Sequence, residues 1–527
     1  MTAQTDAGAP PILASLLPCP FVPNVSVPEF VLATAAEAGN RPAIVDGSDG
    51  RSLSYEALAD GIHRVAAGLA ARGLRPGDAF AIMAPNSPEW LVACYGAMAT
   101  GAIVTGINPL YKPDEVATQL RDADARFLLT IPAVFPVARD AVMRAGGRAQ
   151  IIVIGTGPDG TIPFTELLSW TGAAPREDID PDALALMPYS SGTTGLPKGV
   201  MLSHRACLTN VMQMLTAMPM TPEDKILAVP PFFHAVGLNV LAGPALMSGA
   251  TLVTLPRFDV TGFLAAIAHH QITQTIVVPP IIQVLAKHPA VADYDLSSLR
   301  VLGCGAAPLG AELQQACAQR IGCPVVQGYG MTEATAVIAL APAGTPVVPG
   351  SSGRLVPGVL ARIVDPDTGA DRDQGDTGEL WVRTPALMTG YLGNPGATNA
   401  TVDQDGWLHT GDIARFDCDG NLFIVDRVKE LIKVKGFQVA PAELEAILRN
   451  HPCVKDAAVV AIPDARAGEA PKAYVVPARE VPAGELIEYV ADRVAPYKQI
   501  RELEFIDAIP TSPSGKTLRR LLSGHDR

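Results

Sequence analysis

The sequence predicts an α/β protein in which helices cover parallel sheets on both faces and a small α+β unit follows at the C-terminal end. Three observations carry this expectation. Apolar runs of strand length alternate with segments of helical periodicity from Ala43 onward, and the alternation resumes after Asp182. The pattern then changes beyond about residue 425, where a short mixed set of strands and helices begins. The 527 residues are 48% hydrophobic, enough to fill the cores of about two to four ordinary domains.

Taken in order, residues 1–28 are rich in proline and small side chains and read as an irregular arm. AIVDG (43–47) and AFAIMAP (79–85) read as strands. Ser54–Arg72 and Glu89–Thr100 carry helical periodicity, with Ser54 placed to cap the first of them. ALALMPYS (183–190) reads as a strand, Ser203–Met218 as a helix capped by Ser203, TIVVPP (275–280) as a strand and Leu309–Ile321 as a helix. Residues 421–450 read as two strands and a helix, DAAVVAIP (456–463) and APKAYVVPA (470–478) as strands, and Glu485–Val494 as a helix. The join to this last unit falls at Asp426–Glu430. No internal repeat is evident.

A net charge of −13 argues against non-specific nucleic-acid binding, although an acidic total still permits a local basic pocket. The eight cysteines are scattered, with no C-x-x-C pair, and read as reduced structural thiols. The first twenty residues lack a basic start followed by an apolar core, so no secretory signal is expected. No run approaches ~20 apolar residues, so no membrane span is expected, and a cytoplasmic protein is the default.

The stretch YSSGTTGLPKGVMLSH (189–204) concentrates backbone N–H groups, hydroxyls and one cation at a single bend. Glycines 192, 195 and 199 let successive N–H groups converge on an anion. Ser190, Ser191, Thr193 and Thr194 can donate to phosphate oxygens, and Lys198 supplies charge. The bend is no Walker A loop, because Pro197 stands where that pattern needs glycine. An ordinary surface turn with a solvated lysine would share this composition.

The eleven residues SSGTTGLPKGV are more specific than that. They resemble the phosphate loop of the adenylate-forming superfamily, which includes acyl- and aryl-CoA synthetases. Further motifs follow in the family's order: PPFFHAVGLN (230–239), GAAPLG (305–310), QGYGMTEA (327–334), GELWVRTPALMTGY (378–391), DGWLHTGD (405–412), DRVKELIKVKGFQVAPAELE (426–445) and PTSPSGKTLRR (510–520). The wording of GAAPLG, QGYGMTEA and KGFQVAPAELE is most similar to the 4-coumarate–CoA ligase branch. The resemblance implies a large N-terminal domain of stacked, mostly parallel sheets with covering helices, residues 29–427, holding the ATP and acid sites. It further implies a small mobile α+β lid, residues 428–527, hinged near Lys429.

The resemblance also implies an activity: ATP-dependent ligation of a carboxylic acid to CoA through an acyl-AMP, with Mg²⁺. Both half-reactions build negative charge, so placed donors and cations should dominate catalysis. By resemblance Lys516 bridges the substrate carboxylate and the α-phosphate. Thr332 and Glu333 position that phosphate and the metal, a role a carboxylate suits. Asp412 accepts from the ribose hydroxyls with Arg427 beside it, where a purely structural ion pair is the alternative. Ser190, Ser191, Gly192, Thr193, Thr194 and Lys198 hold the β- and γ-phosphates, and Gln327, Gly328, Tyr329 and Gly330 wall the adenine and acyl group. Lys433 and Gln438 match residues contacting the adenylate, Lys435 and Gly436 those lining the CoA approach, and Arg257 a CoA-contacting lysine. His234, beside the substrate carboxylate and the thiol tunnel, reads as an orienting group rather than a proton carrier.

The acid pocket by resemblance includes His234, Val236, Gly303, Ala306, Gly328, Gly330, Val337 and Ile338. This chain departs from the coumarate branch at three places. Val236 replaces a frequent tyrosine, Gly303 replaces a common methionine, and Thr335–Ala336 replace Gly-Pro after GMTEA. A roomier pocket near Gly303 with one polar contact fewer is therefore expected, taking a cinnamate-like or aryl acid. A medium-chain fatty acid, or transfer of the acyl group to a carrier-protein thiol or an amine, are the alternatives. A monomer or homodimer is expected, with small molecules rather than nucleic acid or membrane as partners.

Overall fold

The computed structural model describes residues 12–175, 178–190, 197–434, 437–464, 467–511 and 517–522. Ser191, Gly192, Thr193, Thr194, Lys435, Gly436 and Lys516 lie outside the described residues, as does the side chain of Gln438.

Two large sheets dominate. In the first, the strands Leu184–Leu186, Ile103–Gly106, Ala79–Met83, Ala125–Thr130, Gln150–Val153 and Ile162–Pro163 run parallel in that spatial order. All five side chains of Ala79–Met83 are buried, as a strand covered on both faces requires, so its apolar run is unbroken. In the second, Val325–Gly330, Val301–Cys304, Gln274–Val277, Lys225–Ala228, Thr251–Thr254 and Pro42–Asp46 are parallel neighbours. A single apolar core containing Tyr55, Phe80, Trp90, Tyr95 and Phe232 fills the space between them.

The helices form where the sequence announces them. Tyr55–Ala71 starts at Ser54, whose Oγ accepts the Ala57 N–H at 3.1 Å, and His204–Ala217 starts at Ser203, which accepts from Ala206 N at 3.1 Å. Each cap satisfies one of the donors a helix start leaves open. The stretch TIVVPP is a strand only to Val277. Its two prolines open the helix Pro279–Lys287, where a missing N–H costs nothing.

A third sheet departs from the parallel expectation. Leu13–Ala14, Leu360–Val364, Gly378–Arg383, Leu408–Phe416 and Leu422–Arg427 are antiparallel throughout. One face is covered: Leu380 and Val382 are buried while Trp381 and Arg383 alternate outward. The arm is likewise not wholly irregular, since Leu13–Ala14 joins this sheet's edge and the helix Val27–Ala38 begins before residue 29.

Beyond Arg427 the strands belong to a separate mixed sheet built from Ile432–Val434, Phe437–Val439, Val454–Asp464, Gly468–Pro477 and Glu502–Phe505. The helix Ala483–Ala491 starts two residues before the expected one. All eight cysteines are free thiols. Burial pushes Cys207 and Cys317 up to about 12 and Cys323 to about 11, which suits packing rather than reactivity. Among the described residues, no helix is long and apolar enough to cross a membrane.

His204, which follows the strand Lys198–Ser203, ties the helix His204–Ala217 to the helix Val27–Ala38. Its Nδ1 accepts the Val27 N–H at 3.1 Å, and it is fully buried. Burial lowers its pKa to about 4. The unfolded chain therefore binds a proton between pH ~6.5 and ~4 that the folded chain does not, so stability falls as pH falls through that window, by on the order of 3 kcal/mol. The stability difference between wild type and His204→Leu in urea unfolding should shrink by that amount from pH 7 to pH 4. A pH-independent difference would overturn it.

Candidate active site

Several candidates follow or close the carboxyl ends of the second sheet's parallel strands, where open α/β sheets place ligands: His234 follows Lys225–Ala228, Ala306 follows Val301–Cys304, and Gly328, Tyr329 and Gly330 end Val325–Gly330. The strand Tyr189–Ser190 pairs antiparallel with Gly199 and Lys198. The strand Lys198–Ser203 also pairs with Gly390–Tyr391, bringing a distant segment against the base of the bend.

The strand Val325–Gly330 runs into the single turn Thr332–Ala334. Gly330 admits no side chain, because a Cβ there would overlap the Ala336 carbonyl. Gly328 is less confined: its Cβ position lies 3.1 Å from Leu340 Cδ1, the end of a side chain that a small shift would clear. Two side-chain-bearing residues here hold positive φ: Ala306 at +69° and Thr335 at +66°. Both conformations are strained for residues with a Cβ, and such strain collects at functional sites.

Two buried carboxylates stand in this region. Glu333 is 4% exposed, and its Oε1 accepts the Tyr391 hydroxyl at 2.8 Å. Asp412 is 5% exposed; it accepts from the Tyr329 hydroxyl at 2.6 Å and from Arg427 Nε at 2.9 Å. Asp412 and Arg427 face each other across their two strands. Burial first, and then the Asp412 charge, push the Tyr329 phenol far above the usual tyrosine range, so it stays a donor. The ion pair and the three-residue network are therefore both present.

Gln327 turns inward rather than toward a ligand. Its side chain accepts from Leu309 N at 3.1 Å and donates to Leu309 O at 3.1 Å and Gln314 Oε1 at 2.9 Å, bracing the GAAPLG loop. Only its backbone is left to line the wall.

His234 lies in a segment pinned from several sides. Asn86 accepts the Phe232 N–H at 2.8 Å and donates to Pro230 O at 3.0 Å. The end of the strand Ile103–Gly106 presses on Phe233, a Cβ at Gly106 falling 2.5 Å from Phe233 Cα. The His234 ring packs on Phe233 with centroids 4.6 Å apart. Val236 then begins a turn of π-helix, Val236–Ala242, a form that recurs at functional sites. Asn86 was not among the candidates, since nothing in its local sequence separates it from other loop asparagines.

The extra room expected beside Gly303 is not found. A Cβ at Gly303 would lie 2.7 Å from Ile276 Cγ1, and Ile276 is its direct neighbour on the adjoining strand. The volume a methionine would take is occupied by isoleucine from the next strand. Val337 and Ile338 are buried, and Gly330 pairs with Val337 across the hairpin.

Arg257 is exposed between the strand Thr251–Thr254 and the helix Val260–His270. Lys433 is exposed on the hairpin of the C-terminal sheet, directly opposite Gln438, and its backbone N–H donates to Glu469 at 2.7 Å. Lys429 is exposed between the two sheets in sequence. Among the described residues, no group of three or more acidic, histidine or cysteine side chains could hold a metal alone. A magnesium ion that takes one carboxylate and completes its shell with phosphate and water fits Glu333.

Residues 31–392 match the AMP-binding enzyme family, and residues 443–516 match the AMP-binding enzyme C-terminal domain. A 4-coumarate–CoA ligase 3 of Oryza sativa subsp. japonica is 42% identical over 508 residues, covering 94% of this chain and 91% of its own. The structure of an anthranilate CoA ligase in complex with anthranoyl-AMP is similar with a TM-score of 0.88 at 27% identity, covering 95% and 97% of the two chains. That of an amide bond synthetase from Marinactinospora thermotolerans reaches 0.84 at 29% identity, covering 94% and 99%. With separate family matches on its two parts and a relative aligned nearly end to end, the chain belongs to the AMP-binding enzyme family.

Proposed function

We propose that this protein is an ATP-dependent carboxylic acid:CoA ligase that forms an acyl-AMP and then a thioester, acting on a cinnamate-like aromatic acid. The observation that carries it is the pair of buried, separately held carboxylates: Asp412 with Tyr329 and Arg427, and Glu333 with Tyr391. In this reading Asp412 accepts from the ribose hydroxyls, and Lys198 with the bend at 190–194 binds the β- and γ-phosphates. Glu333 holds Mg²⁺, which supplies charge neutralisation on the phosphates, while Thr332 aligns the α-phosphate. Lys516 draws the acid and the α-phosphate together, with Lys433 and Gln438 at the adenylate and His234 orienting the acid. Arg257, Lys435 and Gly436 receive CoA after the lobe from residue 428 onward turns about Lys429. A cytoplasmic enzyme, monomeric or homodimeric, belongs to the same proposal.

The similarity to a 4-coumarate–CoA ligase supports an arylpropenoic acid. With Val236 in place of a tyrosine, no hydroxyl from that position meets the ring. A site that does not hydrogen-bond a substrate hydroxyl discriminates weakly, by ~1–3 kcal/mol per small group. A preference for 4-coumarate over cinnamate above roughly a hundredfold in kcat/KM would contradict this pocket. The structural likeness to an amide bond synthetase favours a second reading, in which an amine takes the acyl group. Pyrophosphate exchange across aromatic and aliphatic acids, repeated with CoA and with amines, separates the two. Exchange without CoA-stimulated AMP release for any acid would remove the ligase reading.

A further inference from the structure

Lys198 and Glu333 carry opposite charges at one site, yet among the described residues neither forms an ion pair. Tyr391 lies between them. The Lys198 ammonium sits 4.8 Å from the centre of its ring, and its hydroxyl donates to Glu333 Oε1 at 2.8 Å. The ring face attracts the cation while the hydroxyl engages the anion. Tyr391 is itself 5% exposed, so neither contact is a loose surface encounter.

The chain around Tyr391 is tied to both partners. On one side Thr389 N donates to Met201 O at 2.9 Å and Leu392 N to Gly199 O at 2.8 Å, with Val200 directly opposite Tyr391. On the other side Met388 N donates to the Glu333 carbonyl at 2.8 Å, and the Thr335 hydroxyl donates to Ala386 O at 2.7 Å. That last bond holds a residue under strain. Thr335 has φ +66° and ψ −57°, and Ala336 N closes a three-residue turn onto Ala334 O at 2.8 Å. Such a γ-turn with positive φ is rare even for residues without a branched side chain. Residues 386–392 thus act as a clasp joining the turn that carries Glu333 to the strand that carries Lys198.

We propose that Tyr391 is a positioning residue that keeps Lys198 and Glu333 from pairing with each other, so that one meets the nucleotide phosphates and the other the divalent cation. This rests on the assignment of Glu333 to the metal given above. Without the hydroxyl, the Glu333 carboxylate loses its orientation. Without the ring, the lysine and the glutamate are free to collapse onto one another.

The test uses the full-length protein with ATP and Mn²⁺, followed by electron paramagnetic resonance of bound Mn²⁺, alongside the Mg²⁺ dependence of pyrophosphate exchange. Tyr391→Phe keeps the ring and should weaken Mn²⁺ retention and raise the half-saturating Mg²⁺ by about tenfold. At saturating Mg²⁺ its KM for ATP should stay within about twofold. Tyr391→Leu should show the same metal defect and also raise the KM for ATP. Unchanged Mn²⁺ affinity in Tyr391→Phe, with a general fall in kcat and thermal midpoint, would mean a merely structural tyrosine and overturn the proposal. A Glu333→Gln arm distinguishes the failures. If Glu333→Gln weakens Mn²⁺ binding and Tyr391→Phe does not, the positioning role alone fails; if neither does, the metal assignment of Glu333 falls with it.

Discussion

Lys516→Ala should lower the rate of acyl-adenylate formation about 10²–10³-fold, equivalent to ~3–4 kcal/mol of transition-state stabilisation. Thioester formation from supplied acyl-AMP should fall much less, because in the role proposed for Lys516 the two anions it would draw together are by then already joined. Rapid-quench measurement of each half-reaction checks this. Lys516 lies outside the described residues, but the chain on either side of it is anchored. Thr511 and Thr517 form a β-bridge. Arg519 donates to Glu430, to Glu445 Oε1 at 2.7 Å and to the Val459 carbonyl at 3.1 Å. Equal losses in the two half-reactions would refute the role assigned to this residue.

Asp412→Ala has the next largest effect, and on two observables at once. The side chain is buried and takes hydrogen bonds from Tyr329 and Arg427. Removing it leaves a guanidinium and a phenol without their acceptor, and breaking a buried pair from one side costs ~3–5 kcal/mol. The midpoint of urea unfolding should fall accordingly. The KM for ATP should rise by about a hundredfold, corresponding to the loss of two hydrogen bonds to charged acceptor oxygens. Asp412→Asn retains an acceptor for Tyr329 and should lose less stability. If Asp412→Ala unfolds at the wild-type urea concentration and binds ATP normally, Asp412 neither braces the site nor touches the nucleotide.

Much of the fold was legible because local chemistry decides it. The strand Ala79–Met83 is apolar at every position, and the serines at 54 and 203 stand where helix starts need acceptors. The antiparallel sheet was harder to read, because its strands alternate and contain glycine and charged residues that look like loop in isolation. In TIVVPP the strand pattern and the proline rule pull in opposite directions, and the prolines decide from residue 279 onward. Within the site, the family resemblance points to Glu333 and to the Asp412–Arg427 pair, but not to the Tyr391 hydroxyl that Glu333 accepts from. Tyr391 is 58 residues from Glu333, and Ile276 fills the space beside Gly303 from a neighbouring strand. Such contacts depend on register between elements far apart in the chain, and one sequence carries no local signal for them.

Asp426 gives the two-part architecture a further consequence. It pairs with Ile413 as part of the last strand of the antiparallel sheet. Yet its Oδ2 accepts the N–H of Ala442 at 3.0 Å, in the first turn of the helix Pro441–Arg449. If the lobe turns about Lys429, that bond must break, and losing a helix cap costs roughly 0.5–2 kcal/mol. Burial raises the Asp426 carboxyl to about 6, so the bond weakens as the group takes up a proton. In the proposed turning of the lobe about Lys429, the Asp426–Ala442 bond is therefore a restraint that loosens as acidity rises through that range.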